Sequence, residues 1–139
     1  MNLSCTRRIQ WCSGHRVLGH EGKCNNLHGH NYEAEITCEA DHLDSLGRVI
    51  DFSVIKSKVG NWIEREWDHR FILWSEDQVA RGALDRIQQP YHALDFNPTA
   101  ENIARTLIRV GNQLLEREGI HVVAVVVHET PNCFATVVE

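Results

Sequence analysis

Residues 23–32 read KCNNLHGHNY and place a thiol and two imidazoles within a few positions of each other. Cys24 stands four residues before His28, and His30 follows across one glycine. In an extended chain, residues i and i+2 point to the same side. His28 and His30 would therefore project together, with Gly29 leaving room for other groups to approach. Such a pair suits two ligands of one metal ion. His15, in the SGHRV segment, is the best third ligand, because it lies just beyond a first strand candidate. Three neutral imidazoles and an open fourth position describe a catalytic zinc site better than a structural one, which usually closes with four protein ligands. Cys24 is either that fourth ligand or a reactive thiolate beside the metal, where positive charge lowers a thiol pKa. A lone HxH also arises by chance in a chain with nine histidines. His42, His92 and His121 read as surface residues, and His20 is nearer the site without a reason to belong to it. The upstream Cys and the further His make the pattern specific.

Two other groups could do chemistry. Asp68 and His69 adjoin in EREWDHRFIL. Neighbours on a helix do not face one another, so a working pair must sit where the helix ends and the backbone turns. A carboxylate there raises the imidazole pKa and fixes its tautomer, which suits proton transfer. A polar helix terminus with a His at the negative end of the dipole would look the same. Glu129, in VVVHET, follows a very apolar run and so lies at the mouth of a core. A carboxylate there either accepts paired hydrogen bonds from an amidine-like edge or is a solvated strand end.

These residues need elements to hold them. From Tyr32 to Cys38, apolar and polar residues alternate, the signature of a half-buried strand. Residues 3–11 form a weaker strand candidate, and the two could pair as a long hairpin with residues 12–31 as its connection. Phe52, Ile55, Val59 and Trp62 recur at helical spacing, extended by Ile63 and Trp67, with Asp51 or Ser53 as the cap. A second helix has Thr99 as N-cap, Glu101 in its first turn, Ile103, Leu107, Val110 and Leu114 as its buried stripe, and Gly119 just past its end. Gly111 inside it is a local cost. VVAVVVHET is a β-branched strand, and CFATVVE hairpins back through Pro131 and Asn132. Residues 74–96 read as a long, partly helical excursion. The order strand, strand, helix, helix, strand, strand predicts an α+β domain over residues 1–139: a four-stranded antiparallel sheet with two helices on one face.

The chain's 139 residues suffice for one domain with a proper core. A net charge of -5 argues against a general nucleic-acid or anionic-membrane surface. No apolar run approaches the ~20 residues of a membrane helix, and the N-terminus lacks the apolar stretch of a signal peptide. The expected location is the cytoplasm. Five cysteines without CxxC then read as free thiols, though two pairs could bridge.

Taken together, GH at Gly14 and His15, CNNLHGHNY from Cys24, VIDFSVIK from Val49, DHRFIL from Asp68, NPTAEN from Asn97 and HET from His128 resemble the 6-pyruvoyl-tetrahydropterin and 6-carboxy-tetrahydropterin synthase family. The resemblance implies a tunnelling fold whose sheets join into a barrel on oligomerisation, usually a hexamer of two trimers with active sites between subunits. It implies zinc on His15, His28 and His30, Cys24 as catalytic base, Asp68 and His69 as proton relay, and Glu129 on the amino-pyrimidine edge of a pterin. Thr99 and Glu101 match positions near that pocket. The implied substrate is 7,8-dihydroneopterin triphosphate. The carboxy branch releases acetaldehyde and leaves 6-carboxy-5,6,7,8-tetrahydropterin, a queuosine and deazapurine precursor. The pyruvoyl branch keeps the side chain, on the way to tetrahydrobiopterin. A binder of zinc or pterin without turnover would be a third type. A related branch that works in folate synthesis has Glu where this chain has Cys24. The chain departs from many relatives in reading WCSGH before its first His, and residues 74–96 either lid the pocket or serve assembly. A triphosphate needs a basic cluster, for which Arg7, Arg8, Arg16 and Lys23 are the available residues.

Overall fold

The computed structural model describes residues 2–116 and 119–139. Its centre is the expected long hairpin, β1 (Ser4–His15) against β2 (His28–Ala40), antiparallel in unbroken register from Ser4 opposite Glu39 to His15 opposite His28. Both strands run further toward the turn than the alternation of 32–38 indicated, so the HGH segment is itself strand and the connection shrinks to residues 16–27. On β1, Ile9, Trp11, Ser13 and His15 face the core, and on β2 Tyr32, Ala34, Ile36 and Cys38 do. β5 (Ile120–Thr130) pairs with β2, and β6 (Cys133–Val138) returns along β5, both antiparallel.

The sheet has six strands, not four, in the order β4-β3-β1-β2-β5-β6. β3 (Arg70–Trp74) adds parallel to β1, and β4 (Tyr91–Leu94) adds parallel to β3. Parallel neighbours need a crossover, and between β3 and β4 runs a helix, α3 (Gln78–Arg86), in the segment expected to be partly helical. The excursion also holds the end of β3 and all of β4, which extend the sheet. Its strands are four and five residues long with little alternation, too short for a period-two signal to emerge.

Two helical rods cover one face, as expected. In the first, α1 (Phe52–Ile55) passes through a π turn (Lys56–Gly60) into α2 (Asn61–Glu66). Asp51 caps it by accepting from the Ser53 N–H. Ile55, Val59, Ile63 and Trp67 are fully buried, while Phe52 is 51% exposed beside Leu3 and Leu43. The second rod is α4 (Ala100–Leu115), capped by Thr99. Its buried face holds Ile103, Leu107, Val110 and Leu115, with Leu114 only partly buried. The expected last turn, residues 117–118, lies outside the described residues. Gly111 has a packing reason, because a Cβ there would approach Val122 Cγ2 to 2.9 Å. The helix thus lies closer to β5 than an alanine would allow.

α3 lies on the other face. Adjacent strand residues point opposite ways. Ile72 joins the main core, while Leu73 packs with Ala80 and Leu84 of α3. Phe71 lies on that same face over Gly14, where a Cβ would come within 2.3 Å of its ring. His92, read as a surface residue, is half-buried and packs edge-on against Trp62 and Trp67. All five cysteines are free thiols. No helix among the described residues is long and apolar enough to cross a membrane.

Candidate metal and substrate site

The register sets the site. His15 and His28 are directly opposite across β1 and β2, and His30 stands opposite Ser13, two residues further along the same face. The three ring centroids lie 4.5, 4.9 and 5.1 Å apart. One ligand nitrogen from each ring lies within 4.8 Å of the other two. His15 is 1% exposed.

Backbone carbonyls fix two of the tautomers. His15 Nδ1 lies 2.7 Å from the Pro98 carbonyl, and His28 Nδ1 lies 2.6 Å from the Asn26 carbonyl. A carbonyl only accepts, so each Nδ1 carries the proton and each Nε2 presents a lone pair. The Nε2 atoms of His15, His28 and His30 are all buried and without a hydrogen-bond partner. Buried polar atoms seldom stay unpaired, and three converging lone pairs fit a cation. Burial drives the His15 pKa down to about 4, opposed by the bond to Pro98 and assisted by His28 and His30. Burial and His28 also lower that of His30. Both imidazoles are therefore neutral near pH 7, the form that ligates metal.

Glu129 faces this cluster from β5. Its carboxylate oxygens lie 4.0 Å from His15 Nε2 and 3.9 Å from His30 Nε2. Burial raises its pKa, His28 pulls it back, and Glu101 adds to the rise. Glu101 is exposed in the first turn of α4. Thr99 Oγ accepts from the Asn102 N–H and keeps its own proton to donate. Cys24 sits half-buried in a short 3-10 turn (Lys23–Asn25), outside the set of mutually close ligand atoms. Burial above all, and then the charge of Glu129, raise the Tyr32 pKa.

Asp68 and His69 are brought together, but elsewhere. They lie where α2 ends and the chain turns into β3, with His69 Nδ1 2.9 Å from Asp68 Oδ2. The turn puts His69 in the left-handed region, at φ 60°, where non-glycine residues are uncommon. The Cys12 N–H donates to Asp68 Oδ1 at 2.9 Å, and the His69 N–H donates to the Cys12 carbonyl at 2.7 Å. The His69 side chain is 80% exposed. It opens on a cavity of about 420 Å³ that His28 and His30 also line, with Cys12, Gly14, Asn31 and Phe71. Among the described residues, no hydrogen bond joins this pair to Cys24 or to the histidine cluster.

The basic residues divide. Arg16 forms a two-point ion pair with buried Asp77, the residue that caps α3, and Arg8 pairs with Glu33 and Glu35. Arg16 is thus committed to structure. The supporting carbonyls of Asn26 and Pro98 escaped the sequence reading, since a backbone acceptor leaves no side-chain signature. CNNLHGHNY and NPTAEN did flag the segments that carry them.

The family model described as 6-pyruvoyl tetrahydropterin synthase matches residues 4–139. A 6-carboxy-5,6,7,8-tetrahydropterin synthase from Rickettsia bellii is 41% identical over 137 residues, covering 97% of this chain and 99% of the relative. One of the same name from Haemophilus influenzae is 35% identical, covering 93% and 94%. Among solved structures, an uncharacterized protein from Wolinella succinogenes superposes with a TM-score of 0.85 at 23% identity, covering 100% of this chain and 99% of that one. The 6-pyruvoyl tetrahydropterin synthase of Caenorhabditis elegans gives 0.73 at 20%, covering 100% and 96%. At these identities, the structures share the fold.

Proposed function

This chain belongs to the 6-pyruvoyl tetrahydropterin synthase family, and on that premise we propose that it is a zinc-dependent 6-carboxy-5,6,7,8-tetrahydropterin synthase. It would convert 7,8-dihydroneopterin triphosphate and one water to 6-carboxytetrahydropterin, acetaldehyde and triphosphate, in queuosine or deazapurine biosynthesis in the cytoplasm. The observation that carries the reading is the set of three buried, unpartnered Nε2 atoms facing one another, in a chain 41% identical to a relative of that name.

His15, His28 and His30 would hold zinc, which supplies Lewis-acid activation of a substrate oxygen at its open position. Cys24, outside the ligand cluster, takes the proton from the substrate side-chain carbon. Asp68 and His69 exchange protons with the side-chain oxygens. Glu129 accepts the paired N–H groups of the amino-pyrimidine edge, with Thr99 and Glu101 beside it. The exposure of the Asp68–His69 pair fits its use in a site shared between subunits. The open sheet edges at β4 and β6 fit closure by other copies, and we assign a hexamer of two trimers whose sheets join into a barrel.

A second reading of one residue has support. The 3.9–4.0 Å separations from two Nε2 atoms favour Glu129 as a partner of the metal position, leaving exposed Glu101 to take the ring edge. Glu101→Gln against Glu129→Gln, compared by substrate KM and by zinc content, separates the two roles.

The deciding experiment incubates zinc-loaded protein with 7,8-dihydroneopterin triphosphate and follows products by mass spectrometry. Acetaldehyde with 6-carboxytetrahydropterin is expected. A 6-pyruvoyl product without acetaldehyde moves the chain to tetrahydrobiopterin synthesis. Folded, zinc-loaded protein without turnover makes it a non-catalytic binder.

A further inference from the structure

We propose that Asn97 is a positioning residue that locks the histidine cluster and the Cys24 segment into one frame. The proposal rests on the metal reading for one of its two arms. Asn97 lies in the segment between β4 and α4, and its side-chain amide clamps Leu18, in the connection between β1 and β2. Asn97 Oδ1 accepts from the Leu18 N–H at 3.0 Å, and Asn97 Nδ2 donates to the Leu18 carbonyl at 3.0 Å. Both halves of the amide are used, as a backbone partner would use them.

Each end of this clamp leads to the site. On its own side, Asn97 precedes Pro98, whose carbonyl fixes the His15 tautomer at 2.7 Å. The Asn97 carbonyl also accepts from the Asn102 side chain at 2.9 Å, tying it to the start of α4. On the other side, Leu18 stands between Val17, whose N–H donates to the Cys24 carbonyl at 2.8 Å, and Gly19, whose N–H donates to Asn25 Oδ1 at 3.1 Å. One amide therefore couples the carbonyl that orients a ligand to the loop that carries the thiol. Residues 16–27 have no other regular element than the short turn at Lys23–Asn25. Groups that orient a metal-bound His typically change metal affinity 10–100-fold when lost.

The protein contains its own control. Asn112 makes the same two-point clamp on Val122, accepting from its N–H at 2.8 Å and donating to its carbonyl at 3.1 Å. That clamp ties α4 to β5 away from the site. The test compares wild type, Asn97→Ala and Asn112→Ala by Tm, by zinc dissociation constant from chelator competition, and by the rate of iodoacetamide labelling of the Cys24 peptide, read by mass spectrometry in metal-free protein. Both variants are expected to lower Tm. Asn97→Ala alone should weaken zinc binding about 10-fold or more and speed Cys24 labelling. Equal effects of the two variants on zinc and labelling would overturn the proposal, because the loss would then be general destabilisation. Unchanged zinc affinity and labelling in folded Asn97→Ala would also overturn it. If wild type binds no zinc, the metal reading fails, and the labelling arm still decides whether Asn97 holds the Cys24 loop.

Discussion

The histidine cluster and the Asp68–His69 corner are both built from imidazoles, yet they are opposite kinds of site. In the cluster, His15 is 1% exposed and the Nδ1 atoms of His15 and His28 are fixed by backbone carbonyls. Its Nε2 atoms face one another without partners. At the corner, His69 is 80% exposed and faces a carboxylate at 2.9 Å. Burial of imidazoles among imidazoles disfavours the proton and leaves lone pairs for a metal. Exposure beside a carboxylate suits a group that gains and loses a proton. The three imidazoles of the cluster converge within a single chain; the His69 corner opens outward.

The largest expected contrast is in metal. His28→Ala should abolish stoichiometric zinc and turnover together, whereas Asp68→Asn should keep zinc, both measured by metal analysis of purified protein. Zinc loss in Asp68→Asn would erase the distinction. Next, Cys24→Ala and His69→Ala should each keep zinc and lower kcat about 10²–10⁴-fold, the usual range for a missing proton-transfer group. If Cys24→Ala loses zinc, the thiol is a ligand. Mixing the chains of those two inactive variants, refolded together, should then recover part of the activity if sites combine Cys24 of one copy with His69 of another. No recovery would mean that each chain works alone.

The smallest effects are on stability against pH. In metal-free protein, the folded-state His15 pKa of about 4 lies below its ordinary 6.5. The unfolded chain therefore protonates first, and stability present above about 6.5 is lost as pH falls toward 4. For Asp68, burial opposes ionisation, but bonds from the Cys12 N–H and from His69, with the charge of His69, outweigh it and lower its pKa. Its contribution is present above the ordinary 3.8 and lost as pH falls through the lower folded value. Tm of the metal-free protein should thus fall in two windows. His15→Ala should shrink only the upper one, to which His30 also contributes, and added zinc should push it lower, because metal and proton compete for the same nitrogen.

Much of this was legible without coordinates. Alternation across 32–38 identified β2, and helical spacing identified the first rod and α4. Thr99 and the two candidates Asp51 and Ser53 announced the caps. His28 and His30 were paired by the period of a strand alone. Less legible was the 74–96 segment, whose strands are too short to show a period and whose expected helical part did not reveal that it serves as a crossover. Arg16 looked like a free cation until Asp77, far along the chain, was found to hold it.

The sequence by itself therefore determined which residues share a strand face or a helix stripe, because those relations follow from local periods. It also carried the family in its ordered motifs. Tertiary structure alone decided the rest. It set His15 opposite His28 through the register of a hairpin, and supplied the Pro98 carbonyl to His15 from a segment distant in sequence. It also folded Asp68 and His69 back onto Cys12 of β1. Those relations join residues far apart in the chain, and no local period records them.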